Sequence, residues 1–342
     1  AWDCVRVGVP APLHRQKNEI ETTIQNPQKN RSNRNNEDKI YTQATAGGDA
    51  ADRSLHVAAR IGYTERSDHR KHSQGLQRAG WIKKYTEQHP EVQIRVVNDG
   101  KGEADLTLMQ GSTEADKEAE GNVAYVGRYA LLPVTTTGNP LYEQINRRRF
   151  DKKELKRLFF QNDVVQEVEE GKKKDALRDG LTVYSTMGRT SGAQAFASHF
   201  GYRPSQIRGK RIAGDDIHLL TAIGKDRTGI TFNTTAYLFD LQSRKLKPEL
   251  SVLPLNLKKD QEQILRSGNL DETLRLLEDA EIDLIPLQTI GFVYRDKAQV
   301  RDFLQWVVSE GQQYNHASGF LTIDKKTEQK EQKRLSRLLS DR

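Results

Sequence analysis

Residues 183–193 read VYSTMGRTSGA, and this stretch decides the fold class. Its first residues have the apolar pattern of a buried strand, and Ala193 begins a helix pattern that runs to Phe200. A strand that enters a helix through a short glycine-bearing loop is the basic step of a layered α/β protein. The same step places the free backbone N–H groups of a helix N-terminus at the end of the loop, where they favour an anion.

Five residues of this loop can donate hydrogen bonds to an oxyanion. The guanidinium of Arg189 offers a planar fork of donors, and the hydroxyls of Thr190 and Ser191 add two more. Gly192 and Ala193 contribute backbone N–H groups, and Gly192 has no side chain to keep a ligand away. The alternative is that Thr190 or Ser191 is an ordinary N-cap, which satisfies the helix without any ligand.

Helix and strand patterns alternate on both sides of this loop, which predicts α/β layers. Asp151 is predicted to cap a helix through Phe159, and the run 123–134 is predicted to be a long buried strand entering a crossover. The other predicted strands are 92–96, 181–185, 229–233 and 250–255, and the other predicted helices are 81–85, 217–223, 271–277 and 298–314, the last preceded by the short segments 283–286 and 291–294.

Composition and charge narrow the function classes. The chain has 342 residues, 35% hydrophobic and 30% charged, and no apolar run approaches the roughly 18 residues of a membrane span. The net charge of +7 suggests nucleic-acid binding, but the excess basic residues lie in 1–75 and 325–342, so 76–324 is neutral. The sequence therefore predicts no nucleic-acid partner. Cys4 is the single cysteine and cannot form an internal disulfide.

Several segments between residues 80 and 324 form a linked set with the anion loop. They are YALLPV (129–134) with NPL (139–141), FDKKELKRLF (150–159), Phe196 after the loop, GITFN (229–233), FLQWV (303–307), SEGQ (309–312) and GF (319–320). The set resembles the type II substrate-binding proteins of ABC phosphate importers. The match covers the crossover strand, the Asn-Pro entry into the second lobe, the anion loop and the closing helix of that family.

The resemblance implies a two-lobed α/β fold of the periplasmic-binding-protein type, with a hinge and an interlobe cleft. Lobe 1 is predicted to comprise 76–138 plus 284–324, and lobe 2 to comprise 139–283. Polar clusters make 1–75 a poorly structured or atypical N-terminal region, and 325–342 is predicted to be a charged, amphipathic C-terminal helix.

The resemblance also implies a function. The protein is expected to capture inorganic phosphate or a related oxyanion and to deliver it to a membrane transporter, as a monomer in the periplasm or cell envelope. No signal-peptide pattern is visible, so this location rests on the resemblance alone. No catalysis, cofactor or metal is expected. By the same resemblance Asp105 accepts the proton of hydrogen phosphate and repels fully ionised sulfate, although Asp105 also fits a simple turn residue.

The sequence departs from the family pattern at three places, and the missing first loop among them favours a second hypothesis. The stretch 68–75 lacks the Gly-Ser loop of the family, Ala193 stands where Thr is usual, and Thr231 stands where Gly is usual. The alternative function is therefore a non-catalytic interaction or sensory module of an envelope complex, with a degraded ligand site.

Two other pairs of polar residues are explained by the local structure, and no ligand role is predicted for them. His69 and His72 have no metal-ligating partner at motif spacing and are read as a solvated loop. Asp215 and Asp216 precede the helix that starts near Ile217 and are read as its N-cap and first-turn charge.

Overall fold

A computed structural model describes residues 54–58, 73–97, 105–110, 122–161, 175–187 and 191–340. They all fall in one unit, Arg53–Arg342. The strands are β1 Ser54–Ala58, β2 Gln93–Val97, β3 Leu106–Gln110, β4 Asn122–Thr136, β5 Thr182–Thr186, β6 Lys210–Ile212, β7 Gly229–Thr234, β8 Phe239–Asp240, β9 Lys245–Leu246, β10 Leu250–Val252 and β11 Leu287–Tyr294.

Helices connect these strands and confirm the α/β prediction. They are α1 Ser73–Gln88, α2 Tyr142–Asn146, α3 Lys152–Phe159, α4 Ala176–Gly180, α5 Ser191–His199, α6 Ile217–Lys225, α7 Thr235–Leu238, α8 Lys259–Ser267, α9 Leu270–Asp279, α10 Ala298–Val308 and α11 Lys325–Ser340. Short 3-10 turns span Pro204–Gln206, Glu310–Tyr314 and His316–Ser318.

Strand β4 is shared by two halves of the main sheet, whose order is β2-β1-β3-β11-β4-β7-β5-β6. Its first part, up to Ala130, pairs with β11. From Leu131 onward it pairs with β7, and β10 joins its last residues. The change of partners between Ala130 and Leu131 is the crossover predicted for the run 123–134. The lobe boundaries drawn from the resemblance remain a prediction.

Each half of the sheet has its own aromatic packing. Beside β11, the indole N–H of the fully buried Trp81 donates to the carbonyl oxygen of Gly311 and to Oδ1 of Asn315, both at 3.1 Å. Beside β7, the rings of Phe196 and Phe232 stack with their centroids 3.9 Å apart. These buried rings anchor α1 and α5 on their respective halves.

Local signals place some element ends correctly. Asp151 caps α3 as predicted, because its side chain accepts from the Glu154 amide while Glu154 reaches back to the Asp151 amide. The helix predicted over 298–314 is instead split. It ends at Val308, and a 3-10 turn packs Gly311 against the ring of Trp306, where an added Cβ would lie 3.1 Å from the ring.

The N-terminal region differs from its prediction in one strand, whereas the C-terminal helix forms as predicted. Most of 1–75, including His69 and His72, lies outside the described residues, but Ser54–Ala58 forms β1, paired in parallel with β2 and β3. Parallel pairing joins residues far apart in sequence, so the five residues of β1 alone do not reveal it. The predicted C-terminal helix is present as α11, and its Leu335 is fully buried against the rest of the protein. In the described part of the chain, no helix combines the length and apolar character that spanning a bilayer requires.

Candidate functional site

The predicted anion loop lies at the carboxyl end of β5. The loop residues Arg189 and Thr190 lie outside the described residues, and α5 begins at Ser191. Ala193 is buried in the first turn of that helix. The structure therefore confirms the strand-to-helix step and places the backbone of Ser191, Gly192 and Ala193 at a helix N-terminus. The roles of the five residues as ligand donors remain a prediction.

The end of β5 that leads into this helix lies near the middle of β4. Strand β5 pairs with β7 at Thr182 and Val183, and the same parallel register continued along β5 puts Thr186 level with Asn233, which pairs with Leu132 of β4. Leu132 lies next to the point at which β4 changes partners. The start of α5 is therefore close to the junction between the two halves of the sheet, where a two-lobed protein holds its ligand.

An acidic side chain occupies the space beside Gly192. A Cβ atom added to Gly192 would lie 2.1 Å from Oδ2 and 2.8 Å from Cγ of Asp216. The carboxylate is thus packed directly against the glycine backbone in the first turn of α5. Only a residue without a side chain leaves room for it.

Two neighbouring strands fix Asp216 in this position. The hydroxyl of Thr186 at the end of β5 donates to Oδ1 of Asp216 over 3.1 Å. The side-chain amide of Asn233 on β7 donates to the main-chain carbonyl of Asp216 over 2.6 Å. The backbone N–H of Thr234 in turn donates to Oδ1 of Asn233 at 2.8 Å. In the described part of the chain, Oδ2 of Asp216 receives no hydrogen bond.

The N-cap interpretation of Asp216 is half right. Asp216 does stand at the N-cap position of α6, but its side chain makes no capping hydrogen bond. Its backbone is helical, with φ −58° and ψ −24°, whereas a capping side chain needs an extended backbone. The carboxylate turns toward α5 instead.

Burial dominates the ionisation of this carboxyl group. Loss of solvent around the carboxylate raises the pKa of Asp216 to about 6, and the charge of Asp215 acts in the same direction. The hydrogen bond from Thr186 opposes both effects. Asp216 consequently changes charge within one unit of neutral pH, unlike an ordinary aspartate.

Thr231, where the family pattern has glycine, is accommodated by a buried hydrogen bond. Its hydroxyl donates to the carbonyl oxygen of Tyr184 over 2.8 Å and so joins β7 to β5. The threonine at this position therefore adds a side-chain link between β7 and β5.

The structure does not bring Asp105 to the anion loop. Asp105 is buried just before β3, and its carboxylate lies 2.7 Å from Nζ of Lys297. The adjacent Leu106 pairs with Tyr294, which pairs with Asn122 at the far end of β4. That end is about ten residues from Leu132, roughly 30 Å at 3.3 Å per residue. Asp105 is held in an ion pair at the opposite end of the sheet from Gly192.

The site residue that sequence reasoning missed is Asp216. The signal that could have found it is topological, because β5 and β6 are parallel neighbours and the segments after their carboxyl ends meet at one edge. Asp215 and Asp216 follow β6 as the anion loop follows β5. Pairing β5 with β6 is not visible in the sequence alone.

Among the described residues, no group of three or more His, Cys, Asp or Glu side chains could hold a metal ion.

No family model and no curated protein matches the sequence. Solved structures do match. A putative phosphate ABC transporter substrate-binding protein with bound phosphate from Clostridium perfringens is 12% identical over 79% of this chain and 100% of its own, with a TM-score of 0.52.

Two further solved structures are less similar in shape. A possible phosphate binding protein from Planctomyces limnophilus is 16% identical over 84% of this chain and 98% of its own, with a TM-score of 0.44. An ABC-type phosphate transport receptor from Vibrio cholerae is 12% identical over 79% and 100%, with a TM-score of 0.48. The likeness to the Clostridium protein confirms the two-lobed substrate-binding-protein fold.

Proposed function

We propose that this protein is a non-catalytic solute-binding protein that captures phosphate or a related oxyanion and delivers it to a membrane transporter. The oxyanion would lie at the N-terminus of α5, where Gly192 and Ala193 offer backbone N–H groups and Arg189, Thr190 and Ser191 add side-chain donors. The observation that carries the proposal is the position of this N-terminus, beside the residue at which β4 passes from one half of the sheet to the other.

The same position supports capture by closure. Two halves joined through one continuous strand can rotate about it, and a ligand at the junction then contacts both. Transport function, an envelope location and a monomeric state belong to the same proposal.

One observation favours a second candidate. The Asp216 carboxylate fills the space on the Cβ side of Gly192, next to the backbone that would bind the oxyanion. A protein whose ligand site is permanently filled by its own side chain would serve instead as an interaction or sensory module of an envelope complex.

Isothermal titration with phosphate, at about pH 5 and about pH 8, separates the two candidates. The solute-binding proposal expects saturable binding at the lower pH in the natural protein and its loss in Arg189→Ala. Arg203→Ala is the matched control, since Arg203 follows α5 at its other end. A folded protein that gives no heat at either pH contradicts the proposal and favours the interaction module.

A further inference from the structure

We infer that Asp216 is a built-in competitor for the anion site, which excludes oxyanions while ionised and admits them once protonated. This inference rests on the proposed function and names the residue that decides when the site is open.

The competition is first of all steric. Oδ2 and Cγ of Asp216 lie against the face of Gly192 on which a Cβ would be built. An oxyanion that contacts the backbone of Gly192 from this side must displace the carboxylate. The hydrogen bond from Thr186 to Oδ1 and the anchoring of the Asp216 carbonyl by Asn233 hold the side chain in place.

The competition is also electrostatic. A carboxylate and an oxyanion are like charges, and an enclosed site screens their repulsion poorly. The partial positive charge of a helix N-terminus favours one anion there, and the ionised Asp216 already supplies it. Loss of its proton therefore closes the site, and gain of the proton removes the repulsion and frees the N-terminus.

Among the described residues of the surrounding elements, few other charged groups could set this switch. Asp215 adjoins Asp216, and its backbone N–H donates to Nδ1 of His218 in the first turn of α6 over 3.1 Å. On β6, Arg211 donates to the carbonyl of Ser205, and Nζ of Lys210 lies 3.4 Å from Asp226. The described residues of β5 and β7 contribute no charged side chain on this side.

The pKa of Asp216 lies between the two pH values at which anion binding can be compared, about 5 and about 8. Because burial raises its pKa to about 6, the carboxyl group is mostly protonated near pH 5 and almost fully ionised near pH 8. If only the protonated form admits an anion, the apparent affinity falls with the protonated fraction, by roughly 100-fold between these two pH values.

Sulfate is the probe of choice, since its charge stays constant over this pH range whereas that of phosphate does not. Titration calorimetry of the natural protein is expected to show sulfate binding roughly 100-fold weaker at about pH 8 than at about pH 5. Asp216→Asn should bind sulfate tightly and equally at both. Asp215→Asn, the matched control, should keep the pH dependence.

The number of protons that the natural protein takes up when it binds sulfate provides a test that needs no variant. Near pH 7, sulfate binding measured in two buffers of different ionisation enthalpy should take up close to one proton per anion. Asp216→Asn should take up none.

The outcomes distinguish this inference from the proposed function. Sulfate binding that involves no proton uptake, or that Asp216→Asn leaves as weak as before at pH 8, overturns the inference while the solute-binding function stands. Absence of sulfate and phosphate binding in folded natural protein and folded Asp216→Asn alike overturns both.

Discussion

At the scale of single residues, the decisive contact joins a glycine to an aspartate that is distant in sequence. Gly192 has no Cβ, and the carboxylate of Asp216 occupies the place that a Cβ would take. A carboxyl group enclosed in this way loses hydration, which disfavours its charged form. The contact therefore destabilises the folded protein more when Asp216 is ionised than when it is protonated.

Replacing Asp216 with asparagine should stabilise the protein at alkaline pH. The raised pKa means that the folded state binds the proton more tightly than the unfolded chain, so stability falls as the pH rises from about 4 to about 6. At about pH 8, Asp216→Asn should raise the free energy of unfolding by about 1–3 kcal/mol, a range discounted for the partial exposure of the residue. The gain should vanish below about pH 4. Urea unfolding across this range tests the expectation, and equal effects at both extremes would contradict it.

Replacing Gly192 with alanine should have effects of opposite sign in two backgrounds. With Asp216 present, the new Cβ would overlap the carboxylate, and we expect a loss of about 1–3 kcal/mol. In an Asp216→Ala background the overlap is gone, and alanine's better helix propensity should give a gain of about 0.5–1 kcal/mol. A double-mutant cycle in urea measures both. The same effect in both backgrounds would show that the two residues are not in contact.

At the scale of secondary structure elements, the sequence predicts what local interactions decide. The capping box of Asp151 and the buried run that forms β4 depend on neighbouring residues, and both were predictable. Strand β1 and the break after Val308 depend on distant partners, which include the contact of Trp81 with Gly311. A local pattern does not show those partners, so it predicts neither β1 nor the helix end at Val308.

The candidate site likewise has one part that the sequence predicts and one part that it does not. The step from β5 into α5 could be predicted from 183–193 because it is continuous in the chain. The presence of Asp216 could not, because it depends on β6 lying beside β5. Asp105 was assigned through resemblance, and its actual partner Lys297 is nearly two hundred positions away along the chain.

The C-terminal helix offers a test at this scale. Leu335 is fully buried, so Leu335→Ala should lower the free energy of unfolding by about 2–4 kcal/mol. Lys333, exposed on the same helix, is the matched control, and Lys333→Ala should change it by less than about 0.5 kcal/mol. Equal, small effects in thermal or urea unfolding would mean that α11 does not pack as described.

At the scale of the whole molecule, the shared strand β4 and the position of α5 combine into one account. Two halves of a sheet meet at the middle of β4, and the N-terminus of α5, the proposed anion site, lies close to that junction. A ligand there would draw the halves together. Small-angle X-ray scattering should accordingly show a smaller radius of gyration with sulfate at about pH 5, and no change with sulfate at about pH 8.

The position of a bound oxyanion in crystals shows whether the N-terminus of α5 binds anions in competition with Asp216. Selenate has the shape and charge of sulfate, and the anomalous scattering of its selenium locates it without ambiguity. In crystals of the natural protein grown with selenate at about pH 5, the account predicts the strongest anomalous peak beside the backbone of Gly192, with the Asp216 carboxyl group turned aside. Crystals without a peak there, in which Asp216 still lies against Gly192, would contradict it.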